Sequence, residues 1–116
     1  MPTAHVTSDK LEVTFSRGEK IAGLIRDVHV PLSAVRDAVV VPDGFAAARG
    51  VRAPGLAIPG VRKIGTWRRH GEKALVAVRR GEPAVRISLS GERYDTLLLG
   101  VADPAGLVAR LGSRAG

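Results

Sequence analysis

The sequence has 116 residues, with 18 basic and 11 acidic side chains, no cysteine and four aromatic residues, Phe15, Phe45, Trp67 and Tyr94. This length suits one domain, and an apolar content of 45% excludes wholesale disorder despite a formal charge of +7. Without cysteine there is no disulfide framework, no thiolate nucleophile and no cysteine-ligated zinc, so packing alone must hold the core.

Residues 1–9 are expected as a flexible N-terminus, residues 10–112 as the single domain and residues 113–116 as a frayed C-terminus. Lys10 to Phe15 alternates apolar and polar residues, which places Leu11, Val13 and Phe15 on one side of a half-buried strand. Ser16 followed by Glu19 is a capping-box pattern, with Ile21, Leu24 and Ile25 at helical spacing beyond it. A short helix from Arg17 to Leu24 follows. Gly18 and Gly23 weaken it, and a continued hairpin is the alternative. Asp27 to Pro31 reads as a strand, Leu32 to Ala34 as a polar break, and Val35 to Val41 as a strand whose β-branched density suits a sheet interior.

Pro42-Asp43-Gly44 predicts a turn, and Phe45 to Arg49 could form one helical turn. Pro54-Gly55 and Pro59-Gly60 then bracket Leu56, Ala57 and Ile58. Proline removes a backbone donor and glycine permits positive φ, so a structured loop with two bends is expected there. From Val61 the pattern reads as a meander, with strands at Val61–Arg69, Ala74–Arg79, Ala84–Leu89 and Arg93–Val101. Its turns fall at His70-Gly71-Glu72, Gly81-Glu82-Pro83 and Ser90-Gly91-Glu92, giving three antiparallel hairpins. Val85, Ile87 and Leu89 should point inward, and Leu97, Leu99 and Val101 should share a face. A C-terminal helix then starts at Asp103 as N-cap and Pro104 at the first helical position. Leu107, Val108 and Leu111 form its apolar stripe, and Gly112 is its expected stop. The predicted fold is mainly β: a strongly bent antiparallel sheet of about seven strands, a β-barrel closed or capped by one amphipathic helix.

That element order resembles a bacterial pleckstrin-homology-like (PH-like) domain of a kind found in short actinobacterial proteins. The residues that carry the resemblance are Val28 to Val35, the block Arg52-Ala-Pro-Gly-Leu-Ala-Ile-Pro-Gly60, the Gly65-Thr-Trp67 strand, and Tyr94-Asp-Thr-Leu-Leu-Leu-Gly-Val-Ala-Asp-Pro104 leading into the helix. Nearly the whole chain is covered. The resemblance implies a partial barrel plugged by a C-terminal helix, used as a scaffold for lipid head groups, peptides or other proteins. Eukaryotic members that bind inositol phosphates place basic residues in and beside the first hairpin, whereas the first forty residues here are nearly neutral. No binding residue is therefore carried over.

The basic excess lies in the middle of the chain. Arg49 to Arg86 holds ten basic residues against two acids, Glu72 and Glu82. Strands sharing one such face would attract phosphate, nucleic acid or anionic lipid. Coding bias toward arginine, alanine, glycine and valine would yield the same arginines as a solvated coat. Around the Pro54–Gly60 loop, the apolar Leu56 and Ile58 sit inside a basic collar of Arg49, Arg52, Arg62 and Lys63, which suits an acidic protein or an anionic membrane surface. The plainer expectation is a lid with Leu56 and Ile58 buried. Trp67, flanked by Thr66 and Arg68, with Arg69 next, is read as a packed residue under the loop or, alternatively, as a stacking platform between guanidinium groups.

A catalytic reading finds little support. His5, His29 and His70 have no nearby nucleophile with a third partner, and they do not suggest a metal site. Asp27, Asp37 and Asp43 read as strand-end or turn residues, Asp103 as a cap, and Glu82 and Glu92 as solvated turn carboxylates. The glycines at 55 and 60 are not followed by a phosphate-binding lysine with Ser or Thr. The expectation is a non-enzymatic interaction module without cofactor or metal, binding a protein through Arg49, Arg52, Leu56, Ile58, Arg62, Lys63, Trp67, Arg68 and Arg69. A homodimer through a sheet edge is a further expected partner mode. Peripheral electrostatic binding to anionic lipid or nucleic acid is the first alternative, and a small-molecule barrel with its pocket beneath the loop the second. With no signal-peptide pattern and no apolar run of roughly 18 residues, a cytoplasmic location, free or at the inner membrane face, is expected.

Overall fold

Alternation within Lys10–Thr14 does what its period requires: Leu11 and Val13 are fully buried, while Lys10 is exposed and Glu12 and Thr14 are half-buried. The computed structural model describes residues 2–23, 25–44, 51–58, 62–69 and 71–115, apart from the side chains of residues 22, 23, 51–58, 62, 69 and 113–115. Strand β2 (Lys10–Thr14) pairs antiparallel with β1 (Thr3–Val6) on one side and β3 (Val28–Pro31) on the other. The N-terminal segment expected as flexible thus contains a strand. Thr7 turns the β1–β2 hairpin, donating from its backbone N–H to the Lys10 carbonyl at 2.9 Å and accepting the Lys10 N–H on Oγ1 at 3.2 Å.

Between β2 and β3 runs helix α1 (Arg17–Gly23), opened by a reciprocal capping box. The Ser16 N–H donates to Glu19 Oε1 at 2.9 Å and the Glu19 N–H to Ser16 Oγ at 3.2 Å. Ile25 is buried as expected, but Ile21 is 69% exposed, so the apolar spacing does not describe one buried face. The polar break at Leu32–Ala34 is a 3-10 turn with Leu32 and Ala34 both buried.

The remaining strands are β4 (Val35–Val41), β5 (Val51–Ile58), β6 (Arg62–Arg69), β7 (Glu72–Arg79), β8 (Ala84–Leu89) and β9 (Thr96–Leu99). They form a six-stranded sheet in the order β4-β8-β9-β7-β6-β5. Among the described residues there are therefore nine strands in two sheets and no closed barrel, in place of about seven strands in one bent sheet.

Three expectations are corrected within this sheet. First, Val51–Ile58 is a strand and not a looped segment, because β5 lies at the sheet edge, where proline is tolerated. Its register shifts between Arg52 and Gly55, the stretch that holds Pro54, and Gly55 then faces Gly65, whose φ of 142° disfavours a side chain. The Pro59-Gly60 bend and the helical turn at Phe45–Arg49 lie outside the described residues. Second, β4 is an edge strand and not interior, and Val40 is 44% exposed on it. Third, the meander is interrupted: β9 inserts between β7 and β8, parallel to β7 and antiparallel to β8. Thr96-Leu-Leu-Leu99 explains the insertion, since Leu97, Leu98 and Leu99 are all nearly inaccessible, and a strand buried on both faces belongs at the sheet centre.

Helix α2 (Pro104–Ala115) closes the fold. Asp103 Oδ1 accepts the Gly106 N–H at 3.1 Å, the expected N-cap. The helix continues past Gly112 to Ala115, because Gly112 does not take the left-handed conformation of a helix stop. Leu107 and Leu111 are buried in a core that joins Leu11, Val13 and Val30 of the small sheet to Leu75, Val85, Ile87, Leu97 and Leu99 of the large one. A second cluster, Trp67, Val76, Val78, Ala84 and Leu98, covers the opposite face of the large sheet.

Candidate functional site

The arginine-rich middle of the chain becomes the β5–β6–β7 side of the large sheet. Backbone pairing sets Arg52 opposite Trp67, Leu56 opposite Ile64, Ala57 opposite Lys63 and Ile58 opposite Arg62. Across the next ladder Arg62 faces Arg79 and Arg68 faces Lys73. Two like-charge cross-strand pairs therefore stand one near each end of β6–β7, an arrangement that is unfavourable unless solvent or an opposite charge relieves it. Position Arg69 is in register with Glu72. Arg68 and Arg79 are exposed and Lys63 is half-buried.

Of the nine residues expected to meet a partner, Arg49 lies outside the described residues, as do the side chains of Arg52, Leu56, Ile58, Arg62 and Arg69. The strands nevertheless bring their backbone positions into one ribbon. Trp67 is only 4% exposed and packs with Val76 and Leu98, so it is a core residue and not a stacking platform. A pocket beneath the expected loop would likewise involve side chains outside the described residues.

Pairing in the small sheet was not legible from the spacing of the histidines. His5 faces Glu12, which in turn faces His29, so the three form a row across β1, β2 and β3. Glu12 Oε1 lies 3.8 Å from His29 Nδ1 and 3.2 Å from Lys10 Nζ. Among the described residues no group of three or more His, Cys, Asp or Glu side chains is placed to hold a metal ion. His70 lies outside them.

Several acids have structural tasks the sequence reading did not assign. Asp27 Oδ1 accepts the Phe15 N–H at 3.0 Å and Oδ2 accepts Lys20 Nζ at 3.2 Å. These bonds hold its carboxyl below the usual carboxylate range, the Phe15 N–H contributing most. Asp43 Oδ1 accepts the Gly81 N–H at 3.1 Å, and Asp95 Oδ2 accepts the Lys73 N–H at 2.8 Å. The first ties the turn after β4 to the one between β7 and β8, and the second ties the turn before β9 to β7.

A cleft opens where the small sheet meets the β8–β9 turn. It holds two cavities that share Arg26, Arg93 and Tyr94: a smaller one of about 180 Å³ is also lined by Val28, Val30, Leu89, Asp27, His29 and Glu92, and a larger one of about 370 Å³ by Ile25. Lys73 Nζ and Arg93 Cζ stand 5.4 Å and 5.7 Å from the centre of the Tyr94 ring.

No protein-family model matches the sequence, and no curated protein or solved structure matches the chain. Among the described residues no helix is long and apolar enough to cross a membrane.

Proposed function

We propose that the chain is a non-enzymatic interaction module of PH-like type that binds an acidic protein surface through the β5–β6–β7 side of its large sheet. The carrying observation is the backbone register across β6 and β7, which sets position Arg62 opposite Arg79 and Arg68 opposite Lys73. An acidic partner relieves both repulsions at once, and such complementarity speeds association and selects the partner. Helix α1 lies against β5 and β6, and its exposed Ile21 adds an apolar contact beside the charges. The PH-like reading rests on the mainly β architecture closed by a C-terminal amphipathic helix; the parallel pairing of β9 with β7 departs from the expected meander. Localisation in the cytoplasm accompanies this reading.

The test compares wild type with the Arg68→Glu/Arg79→Glu variant by crosslinking in the source cell, followed by binding measurements with the purified partner. Loss of that partner in the variant is the expected result. Unchanged capture overturns the proposal. Tighter association of wild type with anionic vesicles or DNA than with any protein, falling steeply with salt, would favour the electrostatic alternative.

A further inference from the structure

The cleft between the two sheets has a chemical polarity that points to a ligand. Its smaller cavity has an apolar side, with Val30, Leu89 and Tyr94 each under 10% exposed, while Arg26 and Arg93 stand exposed at the mouth. Among the described residues, neither guanidinium has a carboxylate within ion-pair distance. Asp27 and His29 also line the cleft; Asp27 is engaged by the Phe15 N–H and Lys20, and His29 Nδ1 lies 3.8 Å from Glu12 Oε1. Glu92 adds one negative charge at the smaller cavity, and Lys73 adds a positive one across the Tyr94 ring. The mouth is therefore cationic, with two planar fork donors above an apolar floor.

We propose that this cleft binds a small organic oxyanion, a carboxylate or phosphate monoester on a short apolar or aromatic body. The head group is held by Arg26 and Arg93, whose forks suit two-point contact with either oxyanion. The body enters the smaller cavity against Leu89 and the Tyr94 ring. Pockets that bind such molecules combine apolar surface with polar groups that fix orientation; here the smaller cavity supplies the apolar surface and the larger one, bordered by Arg26 and Arg93, is mainly polar. The site does not rest on the β5–β6–β7 reading, with which it shares only Lys73.

The test is titration of the isotope-labelled full chain, followed by amide shifts, with 4-phenylbutyrate in one arm and phenyl phosphate in another. Inorganic phosphate and vesicles of anionic phospholipid are the controls. Saturable shifts centred on Arg26, Val30, Leu89, Arg93 and Tyr94 are expected in at least one organic arm, and the tighter arm identifies the head group. Arg26→Gln and Arg93→Gln should each weaken binding about tenfold, the scale of one charged hydrogen bond. Arg86→Gln, exposed on β8 outside the cleft, should leave it unchanged. The proposal is overturned if neither organic anion saturates in the millimolar range, if inorganic phosphate binds as well as phenyl phosphate, if only vesicles bind, or if both arginine variants bind like wild type.

Discussion

Asp27 and Gly44 show how much of this molecule is decided by single atoms. Asp27 sits just before β3, and its two oxygens hold the end of β2 and the α1 side chain Lys20. Because the folded carboxyl titrates below its unfolded value of about 3.9, it contributes stability fully above that value. The contribution is lost as pH falls through the lowered folded value. Asp27→Asn should therefore melt below wild type at neutral pH, with the gap closing as pH drops below about 4; thermal melts across an acid series test this. A gap that stays constant down the series would mean that the charge is not what matters. Gly44 donates its N–H to the Glu82 carbonyl at 3.0 Å, pinning the turn at 42–44 to the one between β7 and β8. A Cβ there would stand 2.7 Å from Ala84 Cβ and 2.8 Å from Val78 Cγ1. Both neighbours are buried, so Gly44→Ala should cost about 1–3 kcal/mol in denaturant unfolding through overpacking. Sequence pattern identified a turn here, but the close approach depends on a neighbour forty residues away.

At the scale of elements, local signals were legible and pairing was not. The capping box at Ser16–Glu19, the cap at Asp103, the limits of β4 and β8 and the buried stripes of β2, β8 and α2 all follow from short-range spacing. Of the three expected hairpins, β6–β7 and β8–β9 pair antiparallel, whereas β7 and β8 do not pair because β9 lies between them: burial outweighs the shortest connection. Three consecutive leucines at 97–99 leave no polar face for an outer strand, and the sheet satisfies them by placing β9 centrally. Pro54 misled in the opposite direction: it argues against a central strand, yet an edge strand with shifted register accommodates it. The candidate ribbon was legible as composition, and only the β5–β6–β7 register shows which arginines oppose one another. Central placement has a measurable consequence. Amides of β9, paired on both sides, should exchange with solvent only through the slowest, global opening, whereas those of β4 should exchange sooner. Hydrogen-exchange protection in β9 no greater than in β4 would contradict the assigned strand order.

Across the whole molecule, the two sheets share no strand, and their union depends on side chains between them and on α2. The helix lies against β4, β8, β1 and the 3-10 turn, and so touches both sheets. Leu107 and Leu111, each 1% exposed, are its anchors. Leu107→Ala removes buried volume from the joint core and should cost about 2–5 kcal/mol. Trp67, the single tryptophan, lies in the cluster on the far side of the large sheet and so reports on a cluster separate from the one that holds the helix anchors. If the sheets unfold as one unit, tryptophan emission and far-ultraviolet circular dichroism should shift together in the Leu107→Ala variant, with coincident midpoints in denaturant. Separate transitions, with the dichroism falling before Trp67 responds, would instead mean that the small sheet and helix detach from a large sheet able to stand alone. The first outcome is expected because Leu75, Val85, Ile87, Leu97 and Leu99 bury one face of the large sheet in the joint core, and detachment would expose all of them to water.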